Sequence, residues 1–269
     1  MVTLKSAREI ETMRRSGKIT AVVLTELMQS AKAGMTTRDL DAAAEKGILE
    51  RGGLPTFKGY HGFPATICAS VNDEVVHGIP GEYVLRDGDL LSIDIGTTLE
   101  GYVSDSAVTI PIGTISQKAR HLLEVTQECL MIGIAQMQRG NRIGDIGAAV
   151  QRYAEKHGYG VVRELAGHGV GTAMHEEPQV PNYGKAGTGM ELRPGLVLAV
   201  EPMITEGDRK VEILKDGWTV VTSDGKLAAH FEHTIAVTED GPKILTLRNY
   251  GEHPDAAKYV PDAERIPAS

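Results

Sequence analysis

Cysteine is almost missing from this 269-residue chain: there are two, Cys68 and Cys129, and neither belongs to a Cys-x-x-Cys pair. That excludes a disulfide-built secreted scaffold and a thiolate zinc site. Aromatic residues are scarce too, at 4% with a single Trp, Trp218. No apolar run approaches the ~20 residues of a membrane span, and the opening stretch MVTLKSAREIETMRR has no apolar core of signal-peptide length. The expected location is therefore cytoplasmic. Basic charge is also in deficit, with 28 Lys and Arg against 36 Asp and Glu and a net charge of −8. Without a concentrated basic patch, neither nucleic acid nor an anionic membrane is an expected partner. Arg14 and Arg15 read as an ordinary solvated helix face. The remaining composition, 41% hydrophobic and 24% charged, is that of a folded soluble protein large enough for a substantial core.

What the chain does contain is a repeat. The segments LRDGDLLSID (85–94) and LRPGLVLAVE (192–201) align with a shift of 107 residues, which carries Asp94 onto Glu201. In both, a Gly-containing turn leads into an apolar run that ends in a carboxylate. Upstream, 34–53 and 140–160 align with a shift of 106, and both read as helices entered after Gly. Longer helical patterns open each half, over 7–32 and 117–138; in the first, Ile10, Met13, Ile19, Val22, Val23, Leu24 and Leu27 recur at helical spacing. The expected fold class is α+β, one domain over 1–269, with a pseudo-repeat of about 6–112 and 113–247. A pseudo-dyad would set Asp94 and Glu201 on opposite sides of one central site, and strand parity puts Ser92 and Ala199 on their respective faces, leaving room in front of each carboxylate. The stretch 249–269 is polar and without period, and reads as poorly ordered or draped on the surface.

Five residues stand out as candidates for chemistry. Asp94 ends LLSID, and Asp105 lies in GYVSDSAVTI, a strand returning after a turn near Glu100 and Gly101. Such a hairpin would bring the two aspartates side by side if both point to the same face. Glu201 sits in VLAVEPMI, Glu232 in AHFEHTIAV, and His168 in the Gly-rich stretch AGHGVG. Four carboxylates together would repel and raise one another's pKa values unless cations intervened. Two divalent ions, drawn from Mn, Fe, Co, Zn or Ni, suit four carboxylates and one imidazole, with carboxylates bridging the pair. Taken singly, each residue also has a structural role open to it: a strand-end Asp as a turn or cap, GHG as a loop, Glu232-His233 as an exposed strand pair. Spacing alone leaves both readings open.

The runs GYHGFPATICASVNDEVVHGIP, IDIGTTLEGYVSDSA, GHGVGTAMHEEPQVPNYG, AVEPMI and FEHTIAVT resemble the type I methionine aminopeptidases, in type, order and spacing over nearly the whole chain. The resemblance implies the pita-bread fold, two pseudo-symmetric halves around a curved antiparallel sheet. It also implies removal of the initiator methionine from nascent polypeptides, with a small second residue preferred. Carried over by position, Asp94 would chelate one metal, Asp105 and Glu232 would bridge both, and His168 and Glu201 would complete the coordination of the second metal. Glu201 would assist deprotonation of the attacking water, His175 would stabilise the carbonyl oxygen, and His77 would contact the substrate backbone. Tyr60, Phe63, Cys68 and Trp218 would line the methionine pocket, with His77 at its edge. Leu165, Gly96, Met174 and Phe57 depart from the family's commoner residues. Only about five residues precede the first helix, which sets the chain apart from proline-specific relatives with a large N-terminal domain; the short span from Glu201 to Glu232 sets it apart from the type II enzymes. A metal-free binding protein on the same fold would have lost ligands, and all five are present. A monomer that meets nascent-chain N-termini, with at most transient ribosome contact, is expected.

Overall fold

The structure is a computed structural model and describes residues 2–248; the tail expectation for 249–269 lies outside the described residues. The first half opens with α1 (Ala7–Ser30) and α2 (Thr37–Glu50). Both start where a hydroxyl and an acid can cap them. Ser6 and Glu9 close a reciprocal capping box on α1, and Thr36 and Asp39 do the same on α2. The helical pattern over 7–32 overshoots, because Ala31 already has extended dihedrals and ends α1 at Ser30. Strands β1 (Leu54–Pro55), β2 (Ile67–Val71), β3 (Glu74–Val76), β4 (Leu90–Leu99) and β5 (Tyr102–Pro111) follow.

The second half opens in the same way, with α3 (Gln117–Ala135), capped by Ser116, and α4 (Ile143–Lys156). Its strands are β6 (Gly160–Val161), β7 (Gly167–Gly169), β8 (Glu176–Val180), β9 (Val197–Val200) and β10 (Met203–Thr205). After them come β11 (Val211–Ile213), β12 (Val220–Thr222), β13 (Ala228–His230), β14 (His233–Thr238) and β15 (Gly241–Ile244). All pairings are antiparallel. β4 is flanked by β5 on one edge and by β1 and β2 on the other, and a five-stranded sheet runs β15-β14-β9-β7-β8. Among the described residues no helix is long and apolar enough to cross a membrane.

Two features position the site. The β4–β5 hairpin turns on Glu100 and Gly101, both at positive φ (50° and 80°), the two-residue geometry that matches strand twist. It sets a register in which Asp94 faces Ala107 and Asp105 faces Gly96. The aspartates therefore share a face as diagonal neighbours two positions apart, not as a direct cross-strand pair. The second feature is the seam between β5 and the chain from β13 into β14. Hydroxyls bridge it: Thr234 Oγ1 donates to the Asp105 carbonyl at 2.8 Å and accepts from its N–H at 2.9 Å. Ser106 Oγ donates to the Glu232 carbonyl at 2.8 Å, and the Glu232 N–H reaches Ala107 O at 2.9 Å. Asp105 and Glu232 are thus laid opposite each other by buried, fully paired backbone.

The helices cover the outer faces of the sheets, with a large apolar core beneath them built from residues such as Leu24, Leu27, Leu40, Ile93, Leu122 and Leu198. Gly17 in α1 marks the closest approach. A Cβ there would stand 2.2 Å from the Leu245 carbonyl oxygen and 2.7 Å from its carbon. Helix propensity alone would favour Ala at an interior Gly by about 1 kcal/mol. The backbone clash outweighs this, and Gly17→Ala is expected to destabilise the fold by about 1–3 kcal/mol. Thermal unfolding checks the sign; a higher melting temperature for the variant would refute the packing argument.

Candidate metal centre

Asp94, Asp105, His168, Glu201 and Glu232 line one cavity of about 110 Å³, together with His77, His175 and the apolar side chains of Val76, Leu165, Met174 and Met203. Each reaches it differently. Asp94 projects from the middle of β4 and Asp105 from β5. Glu201 follows the last residue of β9 and precedes Pro202; Glu232 occupies the break between β13 and β14. His168 is not in a loop but in β7, paired to β8 and β9 inside the five-stranded sheet. Its flanking glycines have a steric cause: a Cβ at Gly167 would stand 2.3 Å from Ala199 O, and one at Gly169 would stand 2.4 Å from Glu177 O.

The electrostatics demand a cation. Burial raises Asp94, Glu201 and Glu232 well above the ordinary carboxylate range, and the neighbouring carboxylates raise them further. Asp105 is pushed up to about 7 by burial, against a hydrogen bond from Asp94 that lowers it. Asp94 Oδ1, Asp105 Oδ1 and Glu232 Oε1 are buried without a hydrogen-bond partner. His168 Nδ1–H donates to Gly169 O at 2.8 Å, which leaves the Nε2 lone pair 3.8 Å from Asp105 Oδ2 and 3.6 Å from Glu201 Oε1. Burial, then His175, lowers His168 to about 4, so the ring is neutral. A lone pair aimed at carboxylate oxygens is repulsive unless a cation lies between them, and a backbone-oriented imidazole is the usual arrangement of a ligating histidine. Asp105, His168 and Glu232 bring ligand atoms within 4.8 Å of one another. The residues fit a divalent ion.

A model of metallopeptidase family M24 matches residues 11–239. The chain belongs to this family. Methionine aminopeptidase 1 of Bacillus subtilis is 52% identical over 246 residues, covering 91% of this chain and 99% of the relative. The crystal structure of methionine aminopeptidase from Thermotoga maritima superposes with a TM-score of 0.91 at 43% identity, covering 93% of this chain and all of that one. Prolidase from Pyrococcus furiosus shares the fold alone, at TM-score 0.76 and 22% identity, with 66% of its chain matched. The expected pita-bread architecture is therefore correct for this M24 chain.

The remaining expected residues fall into two groups. His77, at positive φ (60°), and His175 line the cavity, and burial lowers the His77 pKa. Phe63 and Cys68 pack with Phe57 and Ala65 in a small buried cluster, against which Ile79, Met174 and Trp218 lean. Phe63 and Trp218 meet edge to face at 5.1 Å. Phe57 also occupies the space beside Gly96, where a Cβ would come within 2.5 Å of its ring. The two departures from the family pattern, Gly96 and Phe57, are thus one packing solution. Tyr60 stands apart from this cluster. Its hydroxyl is 2.8 Å from His175 Nδ1; in the tautomer with the proton on Nε2, the hydroxyl donates to Nδ1 and Nε2–H is free to donate. Tyr60→Phe is expected to lower kcat roughly tenfold with little change in melting temperature; an unchanged kcat would remove Tyr60 from that role.

Sequence reasoning missed two features of the site. Lys5 is buried and pairs with Glu176 Oε2 at 2.5 Å, while Glu176 Oε1 accepts the Thr172 and Ala173 N–H groups. This pins the turn that presents His175. His230 is buried behind Glu201 and Glu232. The sequence signal for His230 was its place two residues before Glu232.

Proposed function

We propose that this chain is a metal-dependent methionine aminopeptidase that removes the N-terminal methionine from nascent proteins, preferring a small second residue. The observation that carries the reading is the cluster of four carboxylates, Asp105 and Glu232 fully buried, and one backbone-oriented imidazole, with Met174 both lining this cavity and leaning on the apolar cluster of Phe63 and Cys68. Two divalent ions would be held by Asp94, Asp105, His168, Glu201 and Glu232, with Asp105 and Glu232 shared. Ions bound there supply Lewis acidity, activating a water near neutral pH and polarising the scissile carbonyl.

The chain's own groups do the rest. Glu201 takes a proton from the attacking water at a carboxylate oxygen and returns it to the leaving amine. His175 donates from Nε2 to the carbonyl oxygen as charge develops there, with Tyr60 holding Nδ1. His77, which lines the same cavity, orients the substrate backbone. The aromatic and sulfur side chains form a slot suited to an unbranched thioether. Trimming stops at one residue because the free amino group must sit against the carboxylates.

Nascent-chain N-termini in the cytoplasm are the proposed substrates, met by a monomer with at most transient ribosome contact. A peptide series tests the reading. Methionine should be released from Met-Ala-Ser, far more slowly from Met-Leu-Ser, and not from N-acetyl-Met-Ala-Ser. Cleavage of the acetylated peptide, or no release from folded, metal-supplied protein, would reject it.

A further inference from the structure

His230 has no part in the reading above, yet its position is unusual. It is 1% exposed, and neither ring nitrogen has a hydrogen-bond partner. Its Nε2 lies 3.7 Å from Glu201 Oε2 and 3.9 Å from Glu232 Oε2. These separations match those of His168 from Asp105 and Glu201 on the other side of the same carboxylate. Glu201 is therefore flanked by two imidazoles, His168 at Oε1 and His230 at Oε2.

The backbone leaves His230 little freedom. Its N–H donates to Thr109 Oγ1 at 2.8 Å, and its carbonyl accepts from the same hydroxyl at 2.9 Å. Ser92 Oγ, 2.8 Å from Thr109 Oγ1, completes the chain of hydroxyls. The residue is also laddered to Met203. A buried ring left unpaired on so firmly held a backbone is costly, because an orphaned buried N–H loses its full hydration. The cost falls if the N–H is at Nε2, facing the carboxylates, and only a lone pair is unmet at Nδ1. Catalytic hydrogen bonds are often long in the free protein and tighten in the working complex.

We propose that His230 is a positioning residue for Glu201: its Nε2–H holds Oε2, leaving Oε1, on the His168 side, for proton transfer. The inference rests on the aminopeptidase reading. His230 does not line the cavity, so it acts through Glu201 and not on the substrate.

The test compares the wild type with His230→Gln and His230→Leu at saturating Mn²⁺, using methionine release from Met-Ala-Ser, Mn²⁺ affinity and electron spin-echo spectra. Gln keeps an N–H donor at a similar reach; Leu does not. Leu should lower kcat by about 10–100-fold with KM within about threefold, and Gln should recover most of the loss. The spin-echo spectra should show the same histidine nitrogen coupling in the wild type and Gln variant. An unchanged kcat in the Leu variant, or Gln as impaired as Leu, overturns the proposal. A nitrogen coupling lost in the Gln variant also overturns it, in favour of direct ligation. Absence of turnover in the wild type would instead count against the aminopeptidase reading. The positioning role would then be decided by Mn²⁺ affinity, which should weaken about tenfold with Leu and hold with Gln.

Discussion

Asp105→Asn is expected to abolish methionine release, by at least about 10³-fold in kcat/KM, while making the metal-free protein more stable at pH 7.5. Both effects come from the same burial. The activity loss follows because Asp105 is the carboxylate placed between His168 and Asp94, and losing charge stabilisation of several kcal/mol corresponds to that factor. The stability gain follows from linkage. Burial raises Asp105 in the folded state to about 7, above its value near 3.9 in an unfolded chain. A group raised in this way contributes stability that is present below pH ~4 and lost as the pH rises through ~7. At pH 7.5 the ionised, buried Asp105 therefore costs the metal-free fold energy on the order of a few kcal/mol, and Asn removes that cost. Melting curves in chelator should place the variant roughly 5 °C or more above the wild type at pH 7.5, with the gap closing toward pH 4. A variant that melts lower at pH 7.5 would show that Asp105 is not under electrostatic strain.

Glu201→Gln should lower kcat by about 10²–10⁴-fold, the usual range for a lost general acid–base group. Gln keeps one oxygen donor of the same reach, so Mn²⁺ affinity should fall by a smaller factor, about 10–100-fold. Measuring kcat at saturating Mn²⁺ separates the two effects. If kcat returned to within about tenfold of wild type once the metal was saturated, Glu201 would be a ligand without a proton-transfer role.

Much of this site was legible in the sequence because it depends on local rules. The apolar periods over 7–32 and 117–138 marked the opening helices, and the repeat that carries Asp94 onto Glu201 pointed to one central site. The details set by three-dimensional approach were not legible. The diagonal offset of Asp94 and Asp105 follows from a two-residue turn at Glu100 and Gly101, and a turn one residue longer would have changed it. The glycines around His168 read as loop residues, yet they are required by carbonyls of neighbouring strands crowding both positions. Gly96 reads as an unexplained departure from the family pattern until the Phe57 ring is found filling the space beside it. Lys5 and Glu176, 171 residues apart, form an ion pair that no local pattern predicts. The role argued for His230 rests on nitrogens that lack partners, a property of the folded molecule alone.

The central claim is that the buried carboxylates do their chemistry only with divalent ions between them. Methionine release from Met-Ala-Ser, measured before chelation, after chelation and after stepwise return of Mn²⁺, tests it most directly. Loss of turnover on chelation and its recovery with added Mn²⁺, in step with a rise in melting temperature, is the result predicted. Turnover that survives thorough chelation would contradict the account.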